Sequence, residues 1–141
     1  MKNIKEFVTT KYGFPTDAAH MRVLTDDQKG ENAPTRANMI AAFKWLIEGC
    51  KPNDSLFFHY SGHGGSQKDV SPENDEADGK DETLIPVDYQ QNGVIVDDEI
   101  HELLVKPLPK VRVRSLCYAR SIIIYSMIFF YKKKTNSRAC V

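Results

Sequence analysis

Apolar residues recur at helical spacing in two stretches of the chain and gather into short runs elsewhere, a pattern that predicts alternating helices and strands. Ile4, Phe7 and Val8 mark a helix over residues 3–12, which stops before Gly13, a residue suited to a helix C-terminus. Met21-Arg22-Val23-Leu24-Thr25 reads as a strand ending in the Asp26-Asp27 turn. Thr35 is placed to cap a second helix, along which Met39, Ile40, Phe43, Leu46 and Ile47 form one apolar stripe up to Gly49. The run Ser55-Leu56-Phe57-Phe58-His59-Tyr60 then reads as a buried strand. Strand, helix, strand in that order implies a right-handed crossover within a mostly parallel sheet.

Beyond that strand the pattern weakens. Residues 66–83 are polar and acidic without periodicity, and read as a loop. Leu84-Ile85-Pro86-Val87 and Val94-Ile95-Val96 are short apolar pieces joined across Asn92-Gly93, a strong turn signal. Asp97 is placed to cap a helix beginning Asp98-Glu99-Ile100, with Ile100, Leu103 and Leu104 facing inward and Pro107 and Pro109 ending it. After Lys110 the character changes. Val111–Tyr118 has strand character, but Ile122–Tyr131 is a crude apolar block without helical or strand alternation, followed by three lysines. A membrane-spanning helix needs about 20 apolar residues, and this block is too short for one. Residues 1–110 are therefore expected to fold as one unit. Residues 111–141 form a divergent tail, expected to be disordered or non-native, as a retained intron, a frameshift or a gene-model error would leave it.

The 141 residues suffice for one domain with a buried core. Nineteen basic and nineteen acidic side chains cancel, so no overall field points to nucleic acid or an anionic membrane. Three scattered cysteines, Cys50, Cys117 and Cys140, form no CxxC pair, which fits a reducing compartment better than a disulfide scaffold or a structural zinc site. With no signal peptide at its start, the chain is expected to be cytoplasmic or nuclear.

Candidate chemistry concentrates where the buried strand ends, in Ser61-Gly62-His63-Gly64-Gly65. Ligands and chemistry gather at the carboxyl ends of strands in open α/β sheets. A histidine flanked by glycines there is uncrowded and titrates near neutrality, as a general base or proton shuttle requires. A plain turn histidine is the competing reading. A zinc helix built on His59 and His63 fails on Gly62, Gly64 and Gly65, which disfavour a helix. A calcium EF-hand centred on Gly79 fails too, because its twelfth position is Ile85 instead of a bidentate Glu.

Three segments together resemble type I metacaspases, caspase-like cysteine endopeptidases of fungi, protists and plants. They are Phe57-Phe58-His59-Tyr60-Ser61-Gly62-His63-Gly64, Asp78-Gly79-Lys80-Asp81-Glu82-Thr83-Leu84-Ile85-Pro86-Val87-Asp88, and Ile95-Val96-Asp97-Asp98-Glu99-Ile100-His101-Glu102-Leu103-Leu104. The resemblance implies an α/β caspase-like fold, a three-layer sandwich with a mostly parallel central sheet, incomplete in this chain because a first strand and the nucleophile's strand are lacking. Residues 1–110 would then be a partial catalytic domain. His63 would be the catalytic histidine of a Cys–His dyad, Ser61 would line the pocket for a basic side chain, and Asp81, Asp97 and Asp98 would bind activating calcium. Substrates would be proteins or peptides cut after Arg or Lys, and the enzyme would be monomeric, with neither nucleic acid nor membrane as partner.

The family's Asp-(Ser/Cys)-Cys-His-Ser-Gly motif is missing. The chain reads Val111-Arg112-Val113-Arg114-Ser115-Leu116-Cys117-Tyr118-Ala119-Arg120 in its place. Cys117 lacks the flanking Asp, His, Ser and Gly and has the setting of a buried strand cysteine, where burial raises a thiol's pKa. Without a nucleophile the chain itself is expected to be inactive. The alternative reading is a non-catalytic caspase-like module that binds or regulates a partner.

Overall fold

A computed structural model describes residues 2–52, 54–68, 80–108, 116–120 and 127–133, the last two segments by their backbone. The order is α1 (Lys2–Tyr12), β1 (Met21–Thr25), α2 (Arg36–Ile47), β2 (Ser55–Gly62), β3 (Gly64–Lys68), β4 (Lys80–Leu84), α3 (Tyr89–Asn92), β5 (Ile95–Val96), α4 (Asp97–Ile100), β6 (Leu116–Arg120) and β7 (Met127–Lys133).

The local signals worked where a side chain sets the boundary. The Thr35 hydroxyl accepts a hydrogen bond from the Asn38 amide at 3.3 Å and so opens α2. Asp88 reaches across to accept from the Arg36 amide at 2.8 Å, placing a carboxylate at the same helix end. The Arg36 guanidinium continues that tie, donating to the Val94 carbonyl at 3.2 Å and pairing with Glu99 at 2.5 Å. The start of the crossover helix is thereby joined to the loop and helix that follow β4.

Alternation along the strands sorts the apolar side chains onto two faces. Leu24 of β1 and Leu56, Phe58 and Tyr60 of β2 pack with Met39, Ala42, Phe43 and Leu46 of α2, joined by Leu84, Ile95 and Leu104. Met21, Val23 and Phe57 instead meet Val8 of α1 and Phe14. Phe43 is fully buried, and its ring meets that of Phe58 edge-on at 5.2 Å.

Among the described residues two sheets form, a four-stranded one in the order β1-β7-β2-β6 and a three-stranded one in the order β3-β4-β5. In the larger sheet β2 and β6 run parallel, while β7 is antiparallel to both of its neighbours. The mostly parallel sheet expected from the crossover is therefore mixed: β1, β2 and β6 share a direction, and β7 opposes them from a central position. Both described segments of the 111–141 stretch, read from the sequence as a divergent, non-native or disordered tail, are strands of this sheet. Their backbones find partners on strands far away in sequence, which local periodicity cannot reveal. The rest of that stretch lies outside the described residues.

Three smaller differences follow the same logic. Residues 64–68 and 80–84 pair as antiparallel strands, taking in residues 66–68 and 80–83 of the expected loop, because backbone pairing needs no apolar alternation. Residues 69–79, also read as loop, lie outside the described residues. The Leu84–Val96 connection is broader than a tight hairpin. It passes through α3 and a Gly93 with φ of 80°, and only residues 83–84 and 95–96 pair. Asp97 is the first residue of α4 instead of its cap, and the helix continues over residues 101–105 with the wider π spacing.

Candidate active site

β2 delivers the candidate chemistry to one end of the larger sheet. Phe57, His59 and Ser61 alternate onto one face, and the His59 ring stacks on Phe57 with centroids 6.4 Å apart and planes 11° from parallel. His63 follows Gly62, the last residue of β2, and is exposed. It marks the passage from the larger sheet into β3 of the smaller one. Its backbone is held even though its imidazole is open to solvent: the His63 carbonyl accepts from the Ile85 amide at 3.2 Å and from the Tyr60 hydroxyl at 2.6 Å. Beyond it, Gly65 faces Thr83 so closely that a Cβ there would sit 3.0 Å from the threonine hydroxyl oxygen. This close approach is a local reason for glycine at that position.

Two histidines four residues apart thus stand in opposite environments. His63 meets water, whereas His59 is 7% exposed and its burial holds the imidazole below the ordinary histidine value of 6.5. Above pH 6.5 the ring is neutral in both folded and unfolded chains. As pH falls below 6.5 the unfolded chain takes up the proton first, so stability declines until the lower folded value is passed. We expect the urea midpoint of the chain to fall between pH 7.5 and 5.5 by more than that of a His59→Phe variant. Coincident pH profiles would show that this histidine has no part in the acid sensitivity.

Ser61 is half-buried on β2, two residues before His63 and on the same face as His59. The one cysteine on the neighbouring strand is not beside His63. The parallel register sets Cys117 of β6 against His59 and Ala119 against Ser61, and the ladder ends at Gly62 with Arg120. At about 3.3 Å per residue, Cys117 lies roughly 13 Å short of His63 along the strand direction. The facing ends of β6 and β7, Arg120 and Met127, flank the end of β2 that leads to His63.

The three candidate calcium ligands divide between a strand and a helix start. Asp81 is buried on β4, Asp97 is half-buried at the beginning of α4, and Asp98 is exposed beside it. α4 packs against β4, and the β4–β5 ladder ends at the pair Thr83 and Val96, one residue before α4 begins. The donors are hard carboxylate oxygens, the right kind for calcium. Among the described residues, however, no group of three or more acidic, histidine or cysteine side chains converges as a metal cage would. Only the donor chemistry suits such an ion, and the remainder of six to eight oxygens would have to come from backbone or water. Two features of this region escaped the sequence reading. One is the Arg36–Glu99 pair beside the acidic helix start; the other is the Tyr60 hydroxyl on His63, whose only signal was a polar tip ending the apolar face Leu56, Phe58, Tyr60.

A family model for the metacaspase peptidase C14 domain matches residues 1–119. That span passes Lys110, where the recognisable motifs stop, and takes in most of β6. Metacaspase-1 of Eremothecium gossypii is 53% identical over 118 residues, covering 82% of this chain and 25% of that protein. Metacaspase-1 of Mycosarcoma maydis is 52% identical over 110 residues, covering 77% and 26%. Metacaspase-1 of Saccharomyces cerevisiae is 46% identical over 126 residues, covering 86% and 28%. The chain spans about a quarter of the length of these curated relatives.

Proposed function

The chain belongs to the metacaspase peptidase C14 family, and from that premise we propose that it is the histidine-bearing part of a cysteine endopeptidase that cuts proteins after Arg or Lys. The observation that carries this reading is His63, an exposed imidazole at the carboxyl end of a buried strand, with its backbone held by two hydrogen bonds. In a complete enzyme His63 would take the proton of the attacking thiol and return it to the leaving amine. Ser61 would offer a neutral hydroxyl to the basic side chain of the substrate. The sheet with α1 and α2 would be part of a three-layer caspase-like sandwich, working as a monomer in the cytoplasm or nucleus.

Asp81, Asp97 and Asp98 are proposed as the calcium ligands. Bound there, calcium would neutralise carboxylates that otherwise repel one another at the β4–α4 junction. Titration calorimetry of the chain with calcium is expected to show binding that Asp81→Asn weakens. Equal heats for the two proteins would remove Asp81 from the site.

For this chain itself, the register of Cys117 with His59 favours a second reading, a caspase-like module that binds or regulates without cutting. Assay of the purified chain on Arg- and Lys-containing fluorogenic peptides with calcium separates the two. We expect no thiol-dependent cleavage. Sequencing of cDNA across the Lys110 codon is expected to find a form that continues into an Asp-x-Cys-His-Ser-Gly stretch. That form should cleave, and His63→Ala should slow it by roughly 10²–10⁴-fold, the usual scale for a general acid–base group. Undiminished cleavage by His63→Ala would rule out the assigned role.

A further inference from the structure

We propose that Tyr60 is a positioning residue for His63, its buried hydroxyl fixing the carbonyl of the residue that carries the imidazole. The functional sense of this assignment rests on His63 being the proton carrier. Tyr60 is 1% exposed, and a phenol buried that deeply must find a partner for its polar tip. It has one proton to give. The His63 carbonyl lies 2.6 Å away and the Ile85 carbonyl 3.3 Å away, so the shorter bond takes the proton. The Ile85 amide, 3.2 Å from the same His63 carbonyl, also approaches the phenol oxygen at 3.4 Å. One carbonyl thus gathers two donors, one from Tyr60 three residues back on β2 and one from Ile85, the residue just after β4.

The location explains why a side chain is needed there. The parallel ladder of β2 with β6 ends at Gly62, one residue short of His63, and the pairing of β3 with β4 begins at Gly64. His63 therefore stands between two ladders, and Gly62, Gly64 and Gly65 around it carry no side chains to limit rotation. The Ile85 amide bonds His63 in continuation of the β3–β4 register, and the phenol adds the donor that the ended β2–β6 ladder does not supply. A dyad depends on where its imidazole sits, since displacement by about 1 Å can cost about 10²-fold in rate.

Tyr60→Phe in the 141-residue chain removes the hydroxyl and keeps the ring that packs with α2. Nuclear magnetic resonance of the four histidine imidazoles then gives a readout that core packing alone does not move. We expect the His63 signals to broaden or double and exchange of the Ile85 amide to speed up by about tenfold, the effect of one net hydrogen bond, with His20 and His101 unchanged. Wild-type His63 signals together with wild-type Ile85 exchange would overturn the proposal. Should Tyr60→Phe not fold, the unsubstituted chain decides. A slowly exchanging Tyr60 hydroxyl proton coupled to the His63 carbonyl carbon supports the assignment, and a freely exchanging one ends it. These readouts do not involve peptide cleavage, so failure of the protease reading would leave them interpretable.

Discussion

Replacing Phe43 by alanine is expected to remove a large share of the chain's stability. Phe43 is fully buried on α2 and meets Phe58 of β2 edge-on, within the cluster that also holds Leu24, Leu56, Tyr60, Leu84 and Ile95. Truncation removes apolar area, breaks the ring pair and leaves a cavity between helix and sheet. Phe→Ala in such settings costs about 3–5 kcal/mol. Domains of this size have about 5–15 kcal/mol in all, so a large share of the stability is lost. Urea unfolding followed by circular dichroism measures it directly. A loss below about 1 kcal/mol, the scale of an ordinary surface change, would mean that α2 does not pack on β2 as described.

A comparable loss is expected from Phe129→Pro in β7, for a different reason. Phe129 pairs with Val23 of β1 on one side and His59 of β2 on the other, so its amide lies inside the sheet whichever neighbour it serves. Proline removes that donor and orphans a carbonyl, at about 1–3 kcal/mol, and its ring opposes strand pairing as well. Phe129→Ala provides the control, since it keeps the amide. The proline variant should be the less stable of the two by at least about 1 kcal/mol. Equal stability would show that β7 is not held between β1 and β2 in solution. The pair of variants also tests whether the stretch after Lys110 is part of the folded molecule.

What could be read from the sequence was set by local chemistry. The Thr35 cap, the α2 stripe and the Ser55 run each carry their signal within about one or two helical turns, and all three elements are present. The position of His63 at a strand end was legible for the same reason. β3 was not, because Gly64-Gly65-Ser66-Gln67-Lys68 has no apolar alternation and is defined by its pairing with β4. The partner of β7 was illegible too: Met127–Lys133 is apolar on successive positions and says nothing about which strand lies beside it. At the site, residue types pointed to proton transfer and the family resemblance to calcium, but only the register shows Cys117 beside His59, and only the folded chain shows α4 packed on β4.

The central place of β7 also dictates the order in which the chain can be assembled. Met21 pairs with Tyr131 and Thr25 with Met127, so the larger sheet closes only after the chain has been made as far as β7. Loop closure over such separations is slow, and until it happens β1 and β2 each present an open edge. During synthesis the amino-terminal elements must therefore wait, exposed, until β7 has been made.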